Sequence, residues 1–134
     1  MANTRKFILE QVKEGDIVFI NACSQCASQA EIKFEGLDNG LVHQKTNKSS
    51  DLQRLDGSFQ AIRRGPAPLS FTITISGQTN PNEKMKVIQH TFIMADKEGK
   101  EQGINYVYNI EDVDDGDEDF NDYYINVVAW HRKG

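Results

Sequence analysis

Residues 70–76, SFTITIS, alternate strictly between apolar and hydroxyl-bearing side chains, and this pattern constrains the fold more than any other feature of the chain. In an extended segment Phe71, Ile73 and Ile75 point to one face, while the threonines between them point to the other. No segment of ten or more residues combines the 3.6-residue period of an amphipathic helix with end caps. The sequence therefore predicts strands, with Phe71, Ile73 and Ile75 in the core.

Other short segments are rich in β-branched and aromatic residues and are separated by turn sequences. They span residues 6–9, 16–21, 30–34, 41–44, 86–95, 104–110 and 123–130, whereas residues 46–56 are polar and carry no clear pattern. The chain has 134 residues, the size of one domain. Eight or nine short strands at this spacing predict a single domain over 1–134, folded as an all-β antiparallel sandwich.

The apolar runs are too short for a membrane span, which needs about 18 residues or more. The first residues, MANTRKFILEQVKEGD, have no apolar stretch of the kind found in secretory signals. We therefore expect a cytoplasmic protein by default. Release to the cell surface, or display there, by a non-classical route is the alternative.

The acidic residues are concentrated in one segment. Eight of the 20 acids fall within twelve residues: Glu111, Asp112, Asp114, Asp115, Asp117, Glu118, Asp119 and Asp122. The whole chain has a net charge of −5, but outside this segment 12 acids face 15 Lys and Arg residues, a balance of +3. Nucleic acid is a poor partner for such a chain, because phosphate binding needs a basic face.

This acidic segment lies between two predicted strands and is therefore expected to be a loop. Eight carboxylates so close together repel one another, and residues 101–131 contain no Lys or Arg to compensate them. Calcium takes six to eight oxygen ligands in irregular geometry. The alternation of Asp117, Asp119, Asn121 and Asp122 supplies charged and neutral oxygens. We therefore predict a calcium site, with enough carboxylates for two ions.

Two other kinds of acidic loop compete with this calcium site. An EF-hand is excluded, because placing its required glycine at Gly116 puts Val113 at the third ligand position, and because the flanking segments are strands. The second alternative is an acidic loop that is solvated and holds no metal.

Cys23 and Cys26 form a C-S-Q-C sequence. Zinc would need two further ligands, and His43, His90 and His131 are not paired at the spacing of a metal site. A thioredoxin-type motif would need a helix after the cysteines, and none is predicted. We expect a pair of loop thiols, reduced by default and able to form a local disulfide.

Catalysis is not expected. Two carboxylates of the acidic loop could have the separation of a glycosidase pair, but any acidic loop would offer such pairs. The sequence contains no nucleophile motif, phosphate loop or metal-hydrolase histidine spacing. Trp130, at the end of the last predicted strand, is expected in the core or in a subunit interface and not as a stacking platform for a sugar.

Residues 117–122, DEDFND, precede a strand, a tryptophan and a terminal glycine. This segment resembles the E-D-G-T-D-x-D-Y-N-D loop and tail of the two-calcium, fucose- and mannose-binding lectins of Gram-negative bacteria, the Pseudomonas fucose/mannose-binding lectin type. Residues 7–9 (FIL) and 19–23 (FINAC) are similar to its F-x-L opening strand and F-A-N-S-S motif.

The resemblance implies a calcium-dependent lectin in which two adjacent Ca²⁺ ions coordinate vicinal hydroxyls of a monosaccharide such as mannose or fucose. The implied metal ligands are Asn21, Glu111, Asp115, Asp117, Asp119, Asn121, Asp122 and the terminal carboxylate of Gly134, donated to a partner. The leading acid is one of Glu111, Asp112, Asp114 and Asp115. The implied sugar contacts are Asn21, Ala22, Cys23, Ser24, Asp114, Asp117, Asp119 and Asp122.

The resemblance also implies carbohydrate as the partner and a homodimer or higher homo-oligomer, since several weak sites act together in an oligomer. Ala22 and Cys23 stand where the family carries small or hydroxylated residues, so the preferred sugar stays open. The alternative function is a calcium-stabilised structural or adhesive sandwich module whose loop holds metal but no sugar.

Overall fold

The computed structural model of the chain describes residues 3–55, 59–76, 85–111 and 122–131. Ten strands follow one another along the chain: β1 (Asn3–Leu9), β2 (Ile17–Ser24), β3 (Gln29–Glu35), β4 (Val42–Lys45), β5 (Gln53–Arg54), β6 (Phe59–Ile62), β7 (Leu69–Ser76), β8 (Lys86–Ala95), β9 (Glu101–Glu111) and β10 (Tyr123–Trp130). Within these ranges no helix is long and apolar enough to cross a membrane.

The strands form two antiparallel sheets. The four-stranded sheet has the order β1-β7-β3-β4, and the six-stranded sheet has the order β5-β2-β10-β9-β8, with β6 also paired to β2. The predicted all-β antiparallel sandwich is confirmed, and the predicted strands at 86–95 and 123–130 have the observed bounds.

The short strands β5 and β6 were not predicted from the sequence. Strand β5 has two residues and β6 has four. Their partners lie far away in the chain, because Cys23 and Ser24 pair with β5, and residues 17–20 pair with β6. Such strands depend on backbone hydrogen bonds to β2 and carry too few residues for an alternating pattern.

The core lies between the two sheets and centres on aromatic rings from both. Phe7 and Phe71 stack with their ring centroids 4.9 Å apart. The rings of Phe71 and Tyr108 pack edge to face, with their centroids 5.0 Å apart. Ile73 and Ile75 are fully buried beside Phe71, as the alternation in residues 70–76 predicts. Both ring geometries add to the stability gained from burying apolar area.

Strands β9 and β10 are neighbours in the six-stranded sheet and run antiparallel, with Tyr123 opposite Ile110. The last residue of β9 is Glu111, and Asp122 directly precedes β10. The acidic segment therefore leaves the sheet and returns to it at the same end.

Candidate functional site

The two ends of the acidic segment are carboxylates held by the sheet. Glu111 is 1% exposed and Asp122 is 8% exposed. Charged groups this well buried need polar or charged partners, because the loss of hydration is expensive. The other loop acids assigned to the site (Asp112, Asp114, Asp115, Asp117 and Asp119), together with Asn121 and Gly134, lie outside the described residues.

The end of β2 lies beside this pair of strand ends. Ser24 is the register partner of Tyr123, and the backbone N–H of Gln25 donates to the carbonyl oxygen of Asp122 at 2.9 Å. The sequence at 19–24 and the acidic segment are about 90 residues apart in the chain. The antiparallel pairing of β2 with β10 brings both to one end of the sheet, where the resemblance expects them together.

The side chains that follow Asn21 alternate between the core and the solvent. Ala22 and Ser24 point into the sandwich and are fully buried, whereas Asn21 is exposed and Cys23 is half-buried on the outer side. Asn21 pairs with Asn126 and lies three residues from Ser24, about 10 Å along the strand. Its role as a metal ligand stays a prediction.

Strand pairing brings two cationic residues next to this end of the sheet, and the sequence alone does not predict either position. Lys86 of β8 is opposite Glu111 of β9, and Arg54 of β5 is opposite Cys23 of β2. Both cations are distant in sequence from the acids, so only the strand pairing reveals them. The structure thus adds positive charge next to a segment that has none of its own.

The donor set of the described residues suits a hard cation but is not a complete site. Among the described residues, no group of three or more His, Cys, Asp or Glu side chains could hold a metal ion. Glu111 and Asp122 contribute carboxylate oxygens, the ligand type that calcium prefers. Calcium binding therefore stays a prediction that depends on the acids between them.

A buried polar network supports the end of β2 from inside. The hydroxyl of Ser24 is 3.6 Å from the thiol of Cys26, which is 3.0 Å from the hydroxyl of Ser28. That hydroxyl is 3.0 Å from the hydroxyl of Tyr123, which donates to the Ser28 carbonyl oxygen at 3.1 Å. Cys23 and Cys26 are both free thiols, one facing outward and one inward. The predicted loop position is wrong for Cys23, because its pairing with Tyr124 makes it part of β2.

Lys45 completes this network from β4. Its ammonium donates to the carbonyl oxygens of Ser28, at 2.9 Å, and Asn47, at 2.8 Å, and its side chain is buried. Burial lowers the pKa of Lys45, and the nearby thiol of Cys26 acts in the opposite direction. The segment joining β2 to β3 is therefore held by side chains from β4 and β10.

The histidines lie away from this end of the sheet. His131 follows β10 at the opposite end, with Nδ1 2.9 Å from Asp16 Oδ2 and Nε2 2.6 Å from Glu101 Oε2. His43 is buried in β4, with Nδ1 3.0 Å from the carbonyl oxygen of Leu55. Both rings therefore have hydrogen-bond partners within the chain.

Comparison with protein-family models and with curated proteins gives no match to this sequence. Solved structures match over nearly its whole length. The lectin CV2L of Chromobacterium violaceum, in complex with α-methyl-fucoside, is 15% identical with a TM-score of 0.60, and the match covers 96% of each chain.

Two further structures give the same result. The C-terminal domain of the lectin BC2L-C of Burkholderia cenocepacia is 14% identical with a TM-score of 0.63, covering 99% of this chain and 100% of that one. The high-affinity mannose-binding lectin of Ralstonia solanacearum is 18% identical with a TM-score of 0.58, covering 96% of each chain. Although few residues are identical, the chain has the β-sandwich fold of these bacterial lectins.

Proposed function

We propose that this chain is a calcium-dependent carbohydrate-binding protein, a lectin and not an enzyme. The observation that carries the proposal is the position of the acidic segment: its eight acids fall in the sequence between Glu111, the last residue of β9, and Asp122, just before β10, in a sandwich whose fold is similar to that of bacterial lectins. One of these structures contains a methyl-fucoside and another is named for mannose binding. A sugar with vicinal hydroxyls is therefore the proposed ligand.

The chemistry of such a site follows from competition with water. Sugar hydroxyls are weak ligands, because water coordinates a cation equally well in free solution. Two adjacent Ca²⁺ ions would already be stripped of much of their hydration by carboxylates, so vicinal hydroxyls would complete both coordination shells favourably. Geometry would then select sugars whose neighbouring hydroxyls have the required orientation.

The proposed calcium ligands are Asp117, Asp119, Asn121 and Asp122, with one leading acid near Glu111 and with Asn21 and the Gly134 carboxylate as further candidates. Because Glu111 ends β9, Asp122 directly precedes β10 and both are buried, their carboxylates would hold the ends of the loop in place. The proposed oligomer would combine several weak sugar sites into one tighter attachment.

One observation favours the second candidate function, a calcium-stabilised module that binds no sugar. Ala22 and Ser24 are fully buried, so of the three residues that follow Asn21 only Cys23 presents its side chain outward. A thiol is a weak hydrogen-bond donor and a poor substitute for a hydroxyl at a sugar site.

Retention on immobilised mannose and fucose tests the lectin directly. We expect the protein to be retained in calcium and released by EDTA. Asp119→Asn should abolish retention, whereas Glu98→Gln, which removes an exposed acid from the β8–β9 turn, should not. If calcium raises the melting temperature but neither sugar retains the protein and a glycan array is also negative, the module is the correct function.

A further inference from the structure

At the end of the six-stranded sheet that carries the acidic segment, polar residues from four chain segments lie side by side. Lys86, the first residue of β8, is the register partner of Glu111 of β9. Asp122 and Gln25 each lie one residue beyond the last register pair of β10 with β9 and of β2 with β10. The backbone N–H of Gln25 donates to the carbonyl oxygen of Asp122 at 2.9 Å. We call these four residues, in their order across the sheet, the terminal row.

The terminal row places two carboxylates between an amide and an ammonium. Glu111 and Asp122 are buried, whereas Lys86 and Gln25 are exposed. A buried carboxylate needs a compensating charge, because it has lost most of its hydration. Residues 101–131 contain no Lys or Arg. Within the terminal row, the compensating charge therefore comes from β8.

The register pairing sets how closely Lys86 acts on Glu111. Directly opposed residues of an antiparallel pair have Cβ atoms about 4.5–5.5 Å apart and project from the same face, so opposite charges attract. Asp122 is one strand further from Lys86, which adds about 4.8 Å. The ammonium of Lys86 is therefore within reach of the Glu111 carboxylate and acts more weakly on Asp122.

Arg54 is a second cation at this end of the sheet, but it lies further from the carboxylates. It pairs with Cys23, two residues before Gln25 and on the far side of β2 from β10. Two strand spacings and two residues separate its backbone from that of Asp122, roughly 12 Å in all. Its side chain is exposed, so water and salt screen its charge. Lys86 is therefore the cation with the stronger effect.

We propose that Lys86 competes with calcium at the candidate site. Its ammonium compensates the Glu111 carboxylate in the calcium-free protein and is displaced into solvent when the ion binds. The inference rests on the proposed calcium site and adds to it the residue that sets the calcium affinity. The wild-type chain then binds calcium more weakly than its carboxylates alone would, and in return keeps a compensating charge when calcium is scarce.

Coulomb's law gives the size of this competition. A single and a divalent positive charge roughly 9 Å apart repel enough to change a binding constant about 5–20-fold, for effective dielectric constants of about 40–80. Salt screens the repulsion, because the Debye length falls from about 8 Å at 0.15 M to about 3 Å at 1 M. Removing the charge of Lys86 should therefore tighten calcium binding, and the gain should shrink in high salt.

Calorimetric titration of calcium into the full chain, without sugar, measures the competition. Lys86→Gln should bind calcium about 5–20-fold more tightly than wild type at low salt. Lys86→Arg keeps the charge and should bind calcium like wild type, and Arg54→Gln should have a smaller effect than Lys86→Gln. The matched control is Lys97→Gln, which removes an exposed lysine from the β8–β9 turn at the other end of the same hairpin and should leave the affinity unchanged.

Thermal unfolding distinguishes competition from a purely structural pairing. In EDTA, Lys86→Gln removes the charge opposite the buried Glu111 carboxylate and should lower Tm. In saturating calcium the ion supplies the positive charge, so the variant should melt at or above the temperature of the wild type. An equal loss of Tm in EDTA and in calcium would overturn the proposal, because Lys86 would then be a structural partner alone.

Chemical labelling tests the displacement in the wild-type protein. The rate at which an amine-reactive ester acetylates each lysine is followed by mass spectrometry of peptides. Lys86 should react faster in calcium than in EDTA, because its ammonium is released into solvent, whereas exposed Lys97 should react equally in both. Equal reactivity of Lys86 in the two conditions would contradict displacement. This experiment decides the question if Lys86→Gln does not fold in EDTA.

The calcium titration also separates failure of this inference from failure of the proposed function. A wild-type protein that binds calcium, with Lys86→Gln binding it no more tightly, would refute competition and leave the lectin function intact. A wild-type protein that binds no calcium would refute the lectin function and this inference together.

Discussion

Gly103 gives the sharpest test of the packing in the six-stranded sheet. It lies in β9, between Trp130 of β10 and Met94 of the edge strand β8. A Cβ atom added here would be 2.4 Å from the carbonyl oxygen of Ala129, 2.7 Å from Met94 Cε and 3.2 Å from Trp130 Cε3. The first contact involves backbone and the second the flexible end of a side chain, so only the second can be relieved cheaply.

Two effects of Gly103→Ala oppose each other. Replacing glycine restricts the unfolded chain and, in a compatible backbone conformation, stabilises a protein by about 0.4–1 kcal/mol. Overpacking a close-packed site costs about 1–3 kcal/mol, and a clash with the backbone of a neighbouring strand belongs at the upper end of that range. We therefore expect a net loss of about 1–2 kcal/mol in the free energy of unfolding.

Urea unfolding followed by circular dichroism measures this loss, and Met94→Ala distinguishes its two sources. The double variant Gly103→Ala/Met94→Ala removes the side-chain contact but keeps the contact with the Ala129 carbonyl. We expect the loss caused by Gly103→Ala to be nearly the same with Met94 or Ala at position 94. Full recovery in the double variant, or a Gly103→Ala protein more stable than wild type, would refute the reasoning.

Three other substitutions test buried polar groups. Burial raises the pKa of the Tyr108 hydroxyl, so the folded chain binds this proton more tightly than the unfolded chain, and stability should fall as pH rises above about 10. Tyr108→Phe should therefore reduce the loss of stability at alkaline pH in melting curves recorded from pH 8 to 11. The lowered pKa of Lys45 acts in the opposite direction, but equally in both proteins. Tyr123→Phe removes a hydroxyl with two hydrogen bonds to Ser28 and should cost about 1–2 kcal/mol in urea unfolding, and an unchanged midpoint would contradict the network. His131→Ala removes the ring whose Nδ1 lies 2.9 Å from the buried Asp16 carboxylate and whose Nε2 lies 2.6 Å from Glu101, and should cost about 1–3 kcal/mol in urea unfolding; an unchanged midpoint would argue against these contacts.

The sequence predicts the long strands well, because each buries one face and therefore alternates. The segment at 70–76 and the final strand illustrate this, with every second residue of β10 from Tyr123 to Ala129 buried. It does not predict β5, which has two residues and exists through its pairing with Cys23 and Ser24. Local patterns report burial, whereas short edge pairings depend on which strand happens to lie alongside.

The candidate site, too, can be predicted from the sequence only in part. The acidic segment is visible as a run of charges, and its position between two strands follows from the alternation on either side. The neighbouring cations Lys86 and Arg54 are not visible, because strand register alone brings them next to Glu111 and Cys23. The sequence predicts Trp130 in the core or in a subunit interface. Its side chain is exposed in the isolated chain, which excludes the core.

Calorimetric titration of fucose and of mannose into the calcium-loaded protein, repeated on the same sample after EDTA, tests the central claim most directly. The lectin function predicts saturable heat with at least one of the two sugars, and complete loss of that heat when calcium is removed. Sugar binding that persists in EDTA would contradict the role given to the acidic segment. Absence of calcium binding would contradict the lectin function itself, since the carboxylates from Glu111 to Asp122 would then form a solvated acidic loop without metal.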